Sequence, residues 1–207
     1  FFSNHNIEHE RFKHWINRLE KLQRSGRLDK IQIFFSCDAL GPEGEYVRTG
    51  LDLKVAIPNF EHILYNTQIE QAINSALTVT AVPGMPDMVR YINKCNKVKP
   101  IYWSMMKANQ YEMGKAYLYP GIFGKKINEW GLREAIEMFD TKSFGYQDSV
   151  KVSHKKFMIG NMKEFDKREP SLLRQKQFKI YLNELDRRRG TNWKKIYPQI
   201  WNLVKDL

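Results

Sequence analysis

Three short runs dense in β-branched and aromatic residues, KIQIFFSCD at 30–38, INSALTVTAV at 73–82 and KPIYWSMMK at 99–107, alternate with segments whose apolar residues fall at helical spacing. No other feature limits the fold so narrowly. A strand, a crossover helix and a second strand make a βαβ unit, and such a crossover leaves its two strands parallel. Ahead of the first run, Phe12, Trp15, Ile16, Leu19 and Leu22 form one apolar stripe, with Gly26 placed to stop the helix. In LDLKVAIPNFEHILYNTQIEQ the residues Phe60, Ile63 and Leu64 turn inward, and in DMVRYINKC the residues Met88, Val89 and Ile92 do the same. The opening FFSN reads as the end of one more strand. The pattern therefore predicts an α/β fold with four parallel strands.

Beyond Pro120 the rhythm changes. Residues 127–139 and 170–188 are predicted helical, the second with Phe178, Tyr181, Leu182 and Leu185 on one stripe, and no further strand is predicted. The expected division is an α/β part over 1–125 and a helical C-terminal region over 126–207, with no internal repeat and no low-complexity linker. A hydrophobic fraction of 42% suffices for a buried core. No apolar run approaches the roughly 20 residues that span a bilayer, and the first residues lack the order of a signal peptide. A cytoplasmic protein with no membrane partner is expected.

Residues near the strand ends carry the chemistry. Side chains alternate along a strand, and in parallel sheets ligands collect at the carboxyl ends. Ser36 and Asp38 are expected to project together at the end of the first run, with Cys37 facing away among apolar residues. In the next run Asn74, Ala76, Thr78 and Thr80 are predicted to share a small, polar face. A plainer account exists for each: Ser36 and Asp38 cap a turn, GPEG is turn chemistry, and Arg48 pairs with Glu45 at the surface.

The strand ending in SCD, the following GPEGEYVRTGLDL, and INSALTVTAVPGMPDMVRYIN together resemble the fourth and fifth strand units of radical S-adenosylmethionine proteins. The tail YLNELDRRRGTNWKKIYPQIW is similar to that of a subgroup frequent in bacteriophages, the twitch-domain-containing radical SAM proteins. The resemblance implies the C-terminal part of a partial (β/α)6 TIM-type barrel followed by a helical appendage. It also implies that Ser36, Asp38 and Arg48 hold the ribose and carboxylate of S-adenosylmethionine, with Asn4 nearby and Thr80 at the next strand end. The complete enzyme would cleave the cofactor to a 5′-deoxyadenosyl radical that abstracts hydrogen from a substrate the sequence does not identify, with flavodoxin or ferredoxin as electron donor. Such chemistry needs a [4Fe–4S] cluster on three cysteines, usually CxxxCxxC. Only Cys37 and Cys95 are present, so the cluster ligands are expected upstream of Phe1, and the chain alone is expected to be inactive.

Other signals are less specific. His5, His9 and His14 are read as surface residues, because no carboxylate completes a metal-ligand set. DRRRGTNWKK at 186–195 suits either a phosphate-and-stacking surface or a helix ended by Gly190 with Trp193 anchoring the tail. Lys and Arg number 34 against 23 Asp and Glu, a net charge of +11. That excess supports an alternative function, a non-catalytic basic α/β module that binds nucleic acid through Arg187 to Arg189 and scattered lysines.

Overall fold

Four parallel strands lie side by side in chain order: β1 (Phe2–Ser3), β2 (Gln32–Ser36), β3 (Glu70–Leu77) and β4 (Tyr102–Lys107). The computed structural model describes residues 2–108, 116–140 and 148–207, so Phe1 of the predicted first strand lies outside the described residues. The crossovers are α1 (His9–Arg24), α3 (Leu53–Asn66) and α4 (Met85–Asn96), and a short α2 (Gly41–Val47) precedes α3. The α/β class is as predicted, and the sheet is open, with β1 and β4 at its edges.

Local chemistry sets the element ends. Glu8 accepts hydrogen bonds from the Glu10 and Arg11 amides and so caps α1. Gly26, at φ +73°, takes the left-handed turn that follows it. Thr78 ends β3 sooner than predicted: its carbonyl and hydroxyl both accept from the Ala81 amide, and the chain coils there. Thr78 and Thr80 therefore do not continue the alternation of Asn74 and Ala76. At the other end, α3 stops at Asn66, and Glu70–Gln71, expected in the helix, belong to β3.

The two faces of the sheet differ. Ile33, Phe35, Ile73 and Trp103 are buried, whereas Phe34, Ser36, Asn74 and Ser104 are half-buried, and Tyr102 and Met106 are more than half exposed. Parallel sheets are ordinarily covered on both faces; here one face stays partly open to solvent. On α1 only Phe12 and Ile16 are buried, and Trp15, predicted inward, is 57% exposed at the edge of the stripe.

After β4 the chain is helical. Residues Pro120–Trp130 form 3-10 turns, followed by α5 (Leu132–Met138), α6 (Asp148–Asp166), α7 (Leu172–Arg189), α8 (Trp193–Ile196) and α9 (Pro198–Val204). The predicted helix over 127–139 is thus broken at Gly131, where a Cβ would lie 2.6 Å from the Val82 carbonyl oxygen. No pattern predicted α6. It buries His154, Met158, Asn161 and Phe165 along one stripe. The largest apolar cluster runs from Phe35, Phe60 and Val89 of the α/β part to Phe178, Trp193 and Ile200, so the C-terminal helices and the sheet share one core. Among the described residues, no helix is long and apolar enough to cross a membrane.

Candidate functional site

Ser36 closes β2 and pairs in register with Asn74 of β3, which pairs with Ser104 of β4. In a parallel sheet, residues in register present side chains on the same face. This row crosses the half-open face, and none of its three side chains makes a hydrogen bond among the described residues. Counting one residue past the Ser3–Phe35 pair brings Asn4 level with Ser36. Asn4 is exposed, and its Oδ1 accepts from the Asn6 amide at 3.1 Å.

Asp38 sits where the backbone ladder gives out. The Cys37 amide donates to the Asn74 carbonyl at 3.0 Å as the last regular rung. The next partner of β3 is a side chain: Asp38 Oδ1 accepts from the Ala76 amide at 2.7 Å and from Arg48 Nη2 at 2.9 Å. The Asp38 side chain is 5% exposed and that of Arg48 32%. A carboxylate so deep needs its hydrogen bonds, because removing one partner of such a pair leaves an uncompensated buried charge. Arg48 does not pair with Glu45. Glu45 Oε1 instead accepts from the Leu53 amide at 2.9 Å, at the start of α3.

The GPEG segment has a packing reason. It opens α2, and Gly44 sits so close to the preceding loop that a Cβ there would lie 2.0 Å from the Ala39 carbonyl oxygen. That contact sets α2, and with it Arg48 at its C-cap, against the end of β2. One donor of the Arg48 fork, Nε, is buried without a partner. The arrangement offers a guanidinium held by Asp38, two residues past Ser36, and a row of hydroxyl and amide groups with no hydrogen bond among the described residues.

Thr80 lies elsewhere. Its hydroxyl is 3.1 Å from that of Thr78, and both threonines line a pocket of about 80 Å³ closed by Tyr46, Val47, Leu118 and, from α7, Tyr181, Leu182 and Leu185. Ligand pockets commonly begin near 300 Å³, so this space is too small for a nucleoside.

Cys37 faces the apolar side as predicted. Burial pushes its thiol up to about 12, so at neutral pH it is a small apolar group with no thiolate. Cys95 is also buried, its thiol raised to about 11 by burial. No group of three or more His, Cys, Asp and Glu side chains among the described residues could hold a metal ion.

His5 corrects the surface reading of the histidines. It is fully buried, stacks on Phe35 with centroids 4.9 Å apart, and also neighbours Phe12 and Phe60. Both ring nitrogens lack a partner, and burial lowers its pKa to about 3. The cause is the reversal between β1 and α1, where His5 takes φ +56° and Asn59 donates to the carbonyls of His5 and Ile7 at 2.8 and 2.7 Å. Since both of those contacts use the Asn59 amide nitrogen, Asn59 Oδ1 accepts from His9 Nδ1 at 2.6 Å, which fixes the His9 tautomer.

At the tail the chain is anchored rather than laid out as a stacking surface. Trp193 is fully buried, its Nε1 donates to Asn183 Oδ1 at 2.9 Å, and Gly190 adopts the left-handed conformation that ends α7. Arg187 and Arg188 both bind Glu184, and Arg189 donates to the Tyr46 carbonyl at 2.7 Å.

The sequence points to Ser36, Asp38, Arg48 and the polar face that bears Asn74, but not to Ser104, which the register sets in the same row. Ser104 was legible in principle, since it follows the buried Trp103 and so alternates to the other face. No protein family, curated protein or solved structure matches the chain.

Proposed function

We propose that the chain is the C-terminal part of a radical S-adenosylmethionine enzyme, a partial (β/α)6 barrel that holds the cofactor on the half-open face of its sheet. One observation carries this reading: Ser36, Asn74 and Ser104, in register across three parallel strands, make no side-chain hydrogen bond among the described residues, and Asp38, two residues past Ser36, holds Arg48. Neighbouring strands are about 4.8 Å apart, a spacing over which successive side chains can bond the two hydroxyls of one ribose. Arg48 supplies planar donors for the cofactor's carboxylate, and its unpartnered Nε is the orphan such a ligand would satisfy. Asp38 then acts as a positioning residue, since its Oδ1 already serves both Arg48 and the Ala76 amide. Asn4 extends the row at the sheet edge, and Thr80 has no part in it.

The iron–sulfur cluster does not fit the described residues. Cys37 and Cys95 are both buried, and no ligand set exists among the described side chains. This chain is therefore assigned cofactor binding and no step of the reaction.

Calorimetric titration of the folded chain with S-adenosylmethionine tests the reading. Saturable binding is expected, weakened by roughly 10-fold or more in Arg48→Ala, as for loss of a charged hydrogen bond, and by a smaller factor in Ser36→Ala. No saturable binding by the folded wild type, or equal affinity in both variants, overturns it.

A further inference from the structure

The three C-terminal helices gather lysines around one tryptophan. Trp201 of α9 is partly exposed, with Lys194 Nζ 4.3 Å and Lys179 Nζ 5.6 Å from its ring centroid. Lys179 also donates to the Lys205 carbonyl at 2.8 Å, which ties α7 to the end of α9. Lys205 follows Trp201 by one turn and Lys176 precedes Lys179 by one turn, and both are exposed. None of these four lysines pairs with a carboxylate among the described residues, whereas Arg187 and Arg188 share the single carboxylate of Glu184. Behind the ring, Trp193 meets Trp201 edge-on at 5.6 Å and 82°, which fixes its orientation.

We infer that this face binds single-stranded nucleic acid, with the lysines on phosphates and Trp201 beneath a base, an interaction separate from cofactor binding on the sheet. The arrangement has the two parts that sequence-tolerant strand binding needs, a flat aromatic ring and cations at its margin. A base takes the place of Lys194 over the ring, and the released ammonium moves to a phosphate. Only an unpaired base can stack on a side chain in this way, so a duplex is the poorer ligand. The surface is thus basic and aromatic without the arginine run and Trp193 that the sequence singled out.

The probe is a labelled oligo(dT) of about 20 nucleotides followed by fluorescence anisotropy. Four phosphate contacts, each contributing a slope of about 0.7, predict roughly a 50-fold loss of affinity from about 50 to 200 mM salt. Changing Lys176, Lys179, Lys194 and Lys205 to Gln flattens that dependence and weakens binding by about 10-fold or more at low salt. A control removing Lys21, Lys97, Lys125 and Lys163 matches the net charge and retains most of the affinity. Trp201→Leu weakens binding by about 5-fold or more with the salt slope kept; should that variant not fold, the lysine comparison decides alone. The inference is overturned if patch and control variants fall equally, if a duplex or anionic vesicles bind as tightly as the single strand, or if the wild type binds no oligonucleotide.

Discussion

Replacing His5 with phenylalanine should stabilise the protein, and more so in acid than at neutral pH. The neutral imidazole is buried against Phe12, Phe35 and Phe60 with both nitrogens unpartnered. An orphaned polar group costs about 1–3 kcal/mol; a phenyl ring removes that cost while keeping the stacking. Part of the gain is lost because a bulky ring is less tolerant of the left-handed backbone at φ +56°, leaving about 1–2 kcal/mol at pH 7. Protonation matters more as the solution is acidified. Burial holds the folded His5 near 3, far below the ordinary 6.5 of an exposed imidazole, so the unfolded chain takes up the proton first as pH falls. Wild-type stability should therefore fall by about 1.4 kcal/mol per pH unit between those two values. From pH 7 to pH 5 this amounts to about 2 kcal/mol, or roughly 4–8 °C in melting temperature for a chain of this size. His5→Phe is free of this acid penalty while keeping every other titrating group, so the difference between the two proteins isolates it. Thermal and urea melts followed by circular dichroism at both pH values measure that difference. Two profiles that run parallel from pH 7 to pH 5 would refute the buried, neutral assignment.

Two further substitutions test the frame of the site. Asp38→Ala leaves the Ala76 amide and the partly exposed Arg48 without their acceptor and should cost about 2–3 kcal/mol in urea melts. Asp38→Asn keeps an oxygen at the same place and should cost less, and equal losses would argue against the side-chain rung. Gly44→Ala forces a Cβ to within 2.0 Å of the Ala39 carbonyl oxygen. It should lower the melting temperature by roughly 6–12 °C, equivalent to about 3 kcal/mol, and an unchanged melt would show that α2 can lift away freely.

The α/β part is legible in the sequence because its signals are local and redundant. Ile33 and Phe35 alternate with partly exposed neighbours, α4 carries Met88, Val89 and Ile92 on one side, and Gly26 stands where α1 must turn. Expectation and structure part where polar residues occupy buried positions or apolar ones occupy exposed positions. The inward stripe of α6 includes His154 and Asn161, so its apolar count is halved and its period disappears from view. His5 reads as a surface residue because nothing in FFSNHN signals the reversal that Asn59, more than fifty residues away, locks in place. The site is half visible. Alternation puts Ser36 and Asp38 at one strand end, but the pairing of Arg48 with Asp38 rather than Glu45 depends on how Gly44 seats α2, a tertiary contact that no spacing encodes. Nor does composition foretell that a single core joins the sheet to the C-terminal helices, since Phe178 and Trp193 fit an independent bundle equally well.

The strands stand in space in the order in which they occur along the chain. A ribosome releasing this polypeptide would therefore emit each βα unit beside the one it must join, and the sheet can grow outward without waiting for distant sequence. That economy ends at Tyr46, whose hydroxyl finds its acceptors only on the Leu182 carbonyl and Asp186. The segment bearing Arg48 thus gains this support only once α7 has been made, so a nascent chain that stops short of α7 would carry these four strands and a less firmly braced arginine.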